Sequence, residues 1–575
     1  MAVSPPTRSP PDRIGPLRSR RGCKTCKTRK VKCGEEKPSC HRCLAAKYKC
    51  EYAPSSPTNT TYSSAPTTTT ILDLPISASP NTVWRERRAF AYYFQHAAPY
   101  LAGGFDQVFW GSVVPQICRT EPAVWDAVNA ISTLFECPSL CDDFVFLSLR
   151  DEKAPALNQQ QSEALGWYAR SLAKIRTQID RGAVDAQVAL VSCVLFVCIE
   201  TLQGHVEEAL QLYQQGVRLI LDLRASGSAN SAALLESTIM PLFIRLGTVA
   251  LTISSVPVCD LFDLIDLYGE YNFTSLESAR DSLIPLSYKV LILQKDTGSN
   301  PWLGIEANIT PELLATKITL QERLRQWHRA YTELAETIST KTTSPTSNSR
   351  PNSNTSITAL LLTYHTTLTM IVATCLTQSA CIYDAHIPAF RTIVEQASIA
   401  LDTSESPDAT QPAFTFELGV GLPLFWTALE CREPSLRRRA LELLQRAPPM
   451  QGFYKCAPGI ALAGKIMQLE EGFAKQISLD KQRKLKKGKN HHLLTPPYDG
   501  PDDDTDIETL EIPEEARIRH YSVFRPRDQP FLLGPHDVSK TDRGPDRLYM
   551  RFTRYSPASA YWKSWGLTDE IVPME

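Results

Sequence analysis

Apolar residues recur at helical spacing over most of the chain. Between His205 and Leu223, the residues Val206, Ala209, Leu210, Tyr213, Val217 and Ile220 fall at steps of one, three and four, drawing one apolar stripe along an α-helix. Similar spacing predicts helices over Pro122–Phe135, Ser162–Ile179, Leu313–Ile338, Ile357–Leu376, Ala389–Leu401, Ser435–Leu444 and Ile460–Gln476. The run VALVSCVLFVCI, Val188 to Ile199, is apolar on every side and is expected at the centre of a core. It is shorter than the roughly 20 residues that span a bilayer. No stretch alternates apolar and polar residues long enough to predict a strand. From about Val83 the pattern therefore predicts a large all-α body of antiparallel helices joined by short turns.

Polar tracts divide the chain. Residues 51–81 are dominated by Ser, Thr and Pro, without an apolar heptad, so residues 53–82 are expected to be a disordered linker with no coiled coil. Residues 1–17 are Pro-rich and read as a disordered N-terminus lacking the apolar segment of a secretory signal. The body is expected over residues 83–480, interrupted by a disordered insert at about 339–356 around STKTTSPTSNSRPNSN. Residues 481–515 read as a basic and then acidic disordered segment. Residues 516–575, rich in Arg, Pro and aromatics, are a C-terminal extension that could pack on the body but suggests no function.

Charge changes the picture. The net charge is −1, yet residues 1–50 hold 14 Lys and Arg against 3 Asp and Glu. The remaining 525 residues hold 47 against 59. A basic head on an acidic body points to a polyanion-binding module attached to something else.

The head also concentrates sulfur. Six of the 16 cysteines, Cys23, Cys26, Cys33, Cys40, Cys43 and Cys50, follow the spacing C-x2-C-x6-C-x6-C-x2-C-x6-C, two copies of one unit. Without a signal sequence, metal binding is expected over disulfides. An all-thiolate tetrahedral site favours Zn²⁺ and leaves no position for a catalytic water. Six ligands complete two four-coordinate sites when two thiolates bridge. Neighbouring Lys and Arg help keep the thiols deprotonated.

This pattern resembles the fungal binuclear zinc cluster (Zn₂Cys₆) DNA-binding domain, here over residues 18–52. The family's basic run is matched by Cys26-Lys27-Thr28-Arg29-Lys30-Val31-Lys32-Cys33, and its mid-loop proline by Pro38. The resemblance implies two Zn²⁺ ions bridged by Cys23 and Cys40. It implies a first helix near Cys26 that enters the major groove, base contacts from Lys30, and CGG-type half-sites. Arg29 would share base or phosphate contact. Lys and Arg donate to guanine O6 and N7. Lys24, Lys27, Lys32, Arg42, Lys47 and Lys49 would meet phosphates, with Arg18, Arg20 and Arg21 as a basic arm. FWGSVVPQI, the helix around Val124–Phe135, the apolar run ending in Glu200 and LYQQGVRLILDLR loosely resemble the fungal-specific transcription factor regulatory domain. That likeness implies regulation, protein contacts or effector binding and names no residues.

Weaker signals have plain structural readings beside functional ones. Cys193 and Cys198 are expected in the core, and Cys137 and Cys141 as structural thiols. Gly419 and Gly421 in LGVGLP form an incomplete phosphate-loop pattern. KQRKLKKGK, Lys481 to Lys489, reads equally as a nuclear-import signal or a solvated helix end. Asp499–Glu515, with nine acidic residues, reads as an activation segment or a charged loop.

Together these features predict a nuclear, sequence-specific DNA-binding transcription factor regulating RNA polymerase II genes, and the family resemblance points to a metabolic or secondary-metabolite gene cluster. No catalytic residues are assigned. Expected partners are double-stranded DNA, the transcription machinery or co-regulators, and a second copy through the helical body, with no membrane. The rival readings are a zinc-knot scaffold that binds protein and a DNA-tethered enzyme with a helical catalytic body.

Overall fold

The computed structural model describes residues 23–36, 39–51, 84–103, 105–138, 157–182, 185–226, 235–253, 261–262, 269–298, 309–342, 351–377, 379–404, 411–416, 419–489, 511–533, 541, 544–555 and 567–574. Contacts divide the chain into a head unit, residues 1–76, and a body unit, residues 77–575.

The head has two five-residue helices, α1 (Lys24–Thr28) and α2 (His41–Ala45). Its core is sulfur: Cys23, Cys26, Cys33, Cys40 and Cys43 are buried, with Cys50 and Val31 packed against them. A unit this small has no apolar core of ordinary size, so its fold depends on what the thiols bind.

The body is mostly helical, as the periodicity predicts. It begins with α3 (Trp84–Tyr92), α4 (Ala98–Ala102) and α5 (Val114–Cys118); a π-helical turn joins α3 to α4 and another leads directly into α5. Then follow α6 (Pro122–Glu136), α7 (Gln159–Asp180), α8 (Ala186–Leu202), α9 (Val206–Ser226) and α10 (Met240–Ile253). The chain continues with α11 (Leu276–Asp296), α12 (Pro311–Thr342), α13 (Pro351–Thr374) and α14 (Ile387–Ser404). It closes with α15 (Gly421–Glu430), α16 (Pro434–Arg446) and α17 (Cys456–Lys489). Each predicted body helix coincides with one of these, except that His205 precedes α9 and Cys375 and Leu376 lie past the end of α13. The start of α7 is fixed by a reciprocal cap, Asn158 with Gln161. Helix α8 is buried along nearly its whole length, as its all-round apolarity predicts, and its one acidic residue, Glu200, is held by Tyr168 and His205. Cys198 beside it is fully buried, and Cys193 is partly buried with its thiol on the Leu212 carbonyl.

Helices α9 and α10 meet at Gly216. A Cβ there would lie 2.5 Å from the Phe243 ring and 2.8 Å from the Cys193 sulfur. The glycine in LYQQGVRLILDLR is therefore a close-packing requirement.

Several features depart from the sequence pattern. Helix α11 runs through Pro285, a residue that reads as a breaker; a reciprocal Ser275–Ser278 cap starts the helix and tertiary packing holds it. The polar insert is narrower than expected: Ser339–Thr342 complete α12 and Pro351 opens α13, leaving 343–350 outside the described residues. Two helical stretches, Leu235–Ile253 and Asn354–Thr374, are long and apolar enough to cross a membrane, but 61% of each window is buried inside the protein. Their apolar faces pack against other helices.

Among the described residues six strands also form. Strands β1 (Phe414–Thr415), β2 (Met450–Gln451) and β3 (Tyr454–Lys455) make a small sheet, β1 parallel and β3 antiparallel to β2. Gly419 and Gly421 of LGVGLP sit beside it. Gln451 accepts a hydrogen bond from the Gly421 amide at 2.8 Å, and a Cβ on Gly419 would lie 2.0 Å from the Gln451 carboxamide oxygen. These glycines admit Gln451, a structural role that accounts for them without a phosphate.

The C-terminal extension forms an antiparallel sheet in the order β4 (Ile518–Phe524), β5 (Tyr549–Tyr555), β6 (Leu567–Pro573). Met550 and Phe552 of β5 enter the main core, while Tyr549 packs with Phe524 and Leu532 on a separate cluster. A strand covered on both sides does not alternate, which hides it from a search for period two.

This sheet is anchored by a buried ionic cluster. Glu470 of α17, fully buried, receives Arg432 at 2.8 Å, Arg437 of α16 at 2.7 Å and the Ile518 amide of β4 at 2.9 Å. Burial alone would raise the Glu470 carboxyl; the two arginine charges outweigh it and hold the group below its ordinary value.

The acidic stretch ends in contact with the body. Ile512 is buried with Ala474 and Ala516. Glu514 accepts hydrogen bonds from the Ser379 hydroxyl at 2.9 Å and from the Ala380 and Cys381 amides at 3.0 and 3.1 Å. Residues 499–510 lie outside the described residues. KQRKLKKGK is the C-terminal end of α17.

Candidate metal centre and nucleic-acid interface

The repeat in the sequence becomes a repeat in structure. Cys23 and Cys40 stand at the N-caps of α1 and α2. The Cys23 amide donates to the Cys33 sulfur at 3.3 Å, and the Cys40 amide donates to the Cys50 sulfur at 3.3 Å. The amides of Val31 and Tyr48 close equivalent turns on the carbonyls of Cys26 and Cys43, at 3.1 and 2.9 Å. Lys30 and Lys47 occupy the same left-handed conformation, both with φ 54°. The halves are related position by position: Cys23 with Cys40, Cys26 with Cys43, Cys33 with Cys50.

Four sulfurs meet at the centre. Those of Cys23, Cys26, Cys40 and Cys43 lie within 4.8 Å of one another. Across the halves, Cys23 is 3.8 Å from Cys40 and 3.7 Å from Cys43, while Cys26 is 3.6 Å from Cys40 and 3.7 Å from Cys43. Thiolates about 2.3 Å from one tetrahedral Zn²⁺ stand roughly 3.8 Å apart, so the spacing fits zinc. The four alone would satisfy a single ion. Cys33 and Cys50, held on the Cys23 and Cys40 amides, bring the donor set to the six thiols that two ions need.

Thiol acidities are uneven. Burial pushes Cys26 up to about 12, with the Cys23 and Cys40 thiols adding to it. Burial opposes ionisation of Cys40 as well, but hydrogen bonds from the Cys43 amide and the Cys43 and Cys26 thiols bring it down to about 6. Zinc supplies the positive charge that deprotonates the remaining thiols.

Outside the sulfur core the side chains are cationic. Lys24, Lys27, Arg29, Lys30 and Lys32 of the first half are all exposed, as is Arg42 of the second. Arg18, Arg20, Arg21 and Pro38 lie outside the described residues. Three residues that the sequence reading passed over hold this surface in place. Thr25 donates its hydroxyl to the Lys49 carbonyl at 2.8 Å, and the Lys24 amide donates to the Glu51 carbonyl at 2.6 Å. Glu36 accepts from the His41 amide at 3.1 Å at the start of α2. Its own amide and that of His41 hold its carboxyl below the ordinary range. Tyr48, the sole Phe, Tyr or Trp between Cys23 and Cys50, carries the Arg29 guanidinium over its ring at 4.0 Å. That isolation was the one signal in the sequence that could have flagged it.

Residues 21–59 match the fungal Zn(2)-Cys(6) binuclear cluster domain. The head is a Zn(2)-Cys(6) cluster domain and binds two zinc ions. An uncharacterized transcriptional regulatory protein of Schizosaccharomyces pombe is 27% identical over 131 residues, 20% of this chain and 24% of that protein. The aspercryptin biosynthesis cluster-specific transcription regulator of Emericella nidulans is 25% identical over 251 residues, 40% of this chain and 39% of that protein. A second Emericella nidulans protein, the transcriptional regulator alnR, is 54% identical over 37 residues, 6% of this chain and 9% of that protein. The chain thus matches less than half the length of each of these relatives. No solved structure matches it.

Proposed function

We propose that this chain is a nuclear, sequence-specific DNA-binding transcription regulator of RNA polymerase II genes. It reads CGG-type sites through the cluster domain, and the helical body supplies regulation. One observation carries the reading: two halves with the same backbone carry different surfaces. The first half exposes Lys24, Lys27, Arg29, Lys30 and Lys32. In the second half, His41, Leu44 and Ala46 stand where Lys24, Lys27 and Arg29 stand in the first, and Leu44 is 62% exposed. Lys49, the counterpart of Lys32, is ion-paired with Glu51 at 3.1 Å. A phosphate backbone is favoured by the first surface and gains less from the second, which adds the exposed Arg42.

In this reading Lys30 donates to guanine in the major groove. Lys24, Lys27, Lys32 and Arg42 neutralise phosphates, and Arg20 and Arg21 extend the contact along the backbone. Cys23 and Cys40 bridge the ions. A bridging pair is expected to be equivalent in the two halves, and of the equivalent pairs theirs belongs to the central quartet and also holds the Cys33 and Cys50 sulfurs on its amides. The Emericella nidulans relative named for aspercryptin biosynthesis supports a biosynthetic gene cluster as the target class. Co-regulators would meet the body, and a second copy would pair through it.

The test is binding-site selection with the full chain on randomised duplex DNA, with zinc and after chelation. Zinc-dependent enrichment of a CGG-containing site is expected, and the number and spacing of half-sites reports monomer or dimer. Zinc-loaded protein that enriches no sequence overturns the reading.

A further inference from the structure

The Arg29–Tyr48 stack crosses the two halves of the cluster domain. Arg29 is the C-cap of α1, immediately before the left-handed Lys30. Tyr48 belongs to the closing segment of the second half, one residue after the left-handed Lys47. Backbone contacts already fix these segments to each other. Besides the Thr25–Lys49 and Lys24–Glu51 bonds, the Glu51 amide reaches the Thr25 hydroxyl at 3.4 Å. The ring is thus delivered to Arg29 by the register of the halves, and the stack follows from that register.

The guanidinium carbon of Arg29 sits over the Tyr48 ring, 4.0 Å from its centroid, and a guanidinium that stacks on a ring keeps its N–H donors pointing outward in its own plane. That edge matches a phosphate, which accepts two parallel bonds. The stack also removes rotamer freedom that an exposed arginine would otherwise lose on binding. Lys30, next in the chain, carries its ammonium as a point charge on a flexible stem and has no such support. The two neighbouring cations are therefore prepared for different work.

We infer that Tyr48 is a positioning residue of the DNA interface, acting through Arg29: its ring holds the guanidinium edge-on to a backbone phosphate beside the base that Lys30 reads. The inference rests on the DNA-binding reading above. It makes Arg29 a source of affinity and register and leaves base choice to Lys30.

The experiment uses the full zinc-loaded chain, the selected duplex and a scrambled duplex. Zinc content is measured for every variant. Tyr48→Phe keeps the ring and should bind as the wild type does. Tyr48→Leu keeps bulk without a π face and should weaken binding about two- to five-fold on both duplexes, the size of an exposed cation–π contact. Added to Arg29→Ala, the Leu substitution should cost nothing more. Equal losses from Tyr48→Leu with and without Arg29 overturn the inference, as does a Phe variant as weak as the Leu variant. A Leu variant that no longer holds two zinc ions also overturns it, because the ring would then serve the fold. Failure of the wild type to bind DNA removes the DNA-binding reading instead, so the two failures are distinct.

Discussion

Lys30 and Lys47 adopt the same left-handed backbone, φ 54°, at matching points of the two half-clusters. An L-residue in that conformation costs roughly 1–2 kcal/mol, and glycine avoids most of this. Both positions therefore hold lysine against a backbone preference, but only one sits on the surface proposed to read DNA. Lys47→Gly should make the zinc-loaded head harder to unfold by about 1 kcal/mol, with base preference unchanged. Lys30→Gly should give the same gain and lose base preference. Competition against a zinc chelator measures the first effect, and binding to matched and mismatched duplexes the second. A Lys47→Gly chain with altered base preference would reassign the reading surface.

Lys30 and Lys27 should separate by kind of loss. Lys30→Ala is expected to weaken the selected site by about 1–3 kcal/mol and to flatten discrimination at one base pair. Lys27→Ala should weaken all duplexes alike and lower the salt slope by about 1. Titrations at several salt concentrations on specific and random DNA distinguish them. Equal loss on both DNAs for Lys30→Ala would make it a phosphate contact.

Cys40→Ser tests the bridging assignment. A thiolate shared by two ions cannot be lost from one site alone, so this variant should hold fewer than two zinc ions per chain and lose DNA binding. Metal analysis of the purified chain gives the answer directly. Two zinc ions retained per Cys40→Ser chain would place the bridge elsewhere.

Glu470 offers a test in the body. Glu470→Gln leaves Arg437 buried without its carboxylate partner and Arg432 with Glu430 alone, a change expected to cost about 3–5 kcal/mol. Acid should reproduce part of the effect. The folded carboxyl is held below its ordinary value of 4.5, so its stabilisation is fully present above that value. It is lost as pH falls through the lowered folded value. Thermal melts from pH 7 down to pH 3 should show the wild type falling towards the Gln variant below about pH 4.5. Two melting curves separated by the same gap at every pH would contradict this role.

The metal centre was legible because its chemistry is carried by spacing: two C-x2-C-x6-C units state the ligands, the metal type and the internal repeat. The long amphipathic helices were legible for a similar reason, since a stripe such as Val206 to Ile220 belongs to one element and needs no partner to be seen. What the sequence concealed depends on partners. Pro285 reads as a break until the neighbours that hold α11 are known. Strand β5 hides because Tyr549 and Met550 face different cores. Tyr48 looks like an ordinary exposed aromatic until the second half of the cluster brings it under Arg29.

The C-terminal sheet also bears on genetics. Strand β6 is the last element to pair, and it flanks a strand whose Met550 and Phe552 fill the main core. A late stop codon would strip the β5 edge and uncover that core, while the head, a separate contact unit, would be translated intact. Alleles truncated near residue 560 should therefore behave as carriers of a competent DNA-binding head on a failing body. Such alleles would be expected to act dominantly, by occupying sites that they cannot regulate.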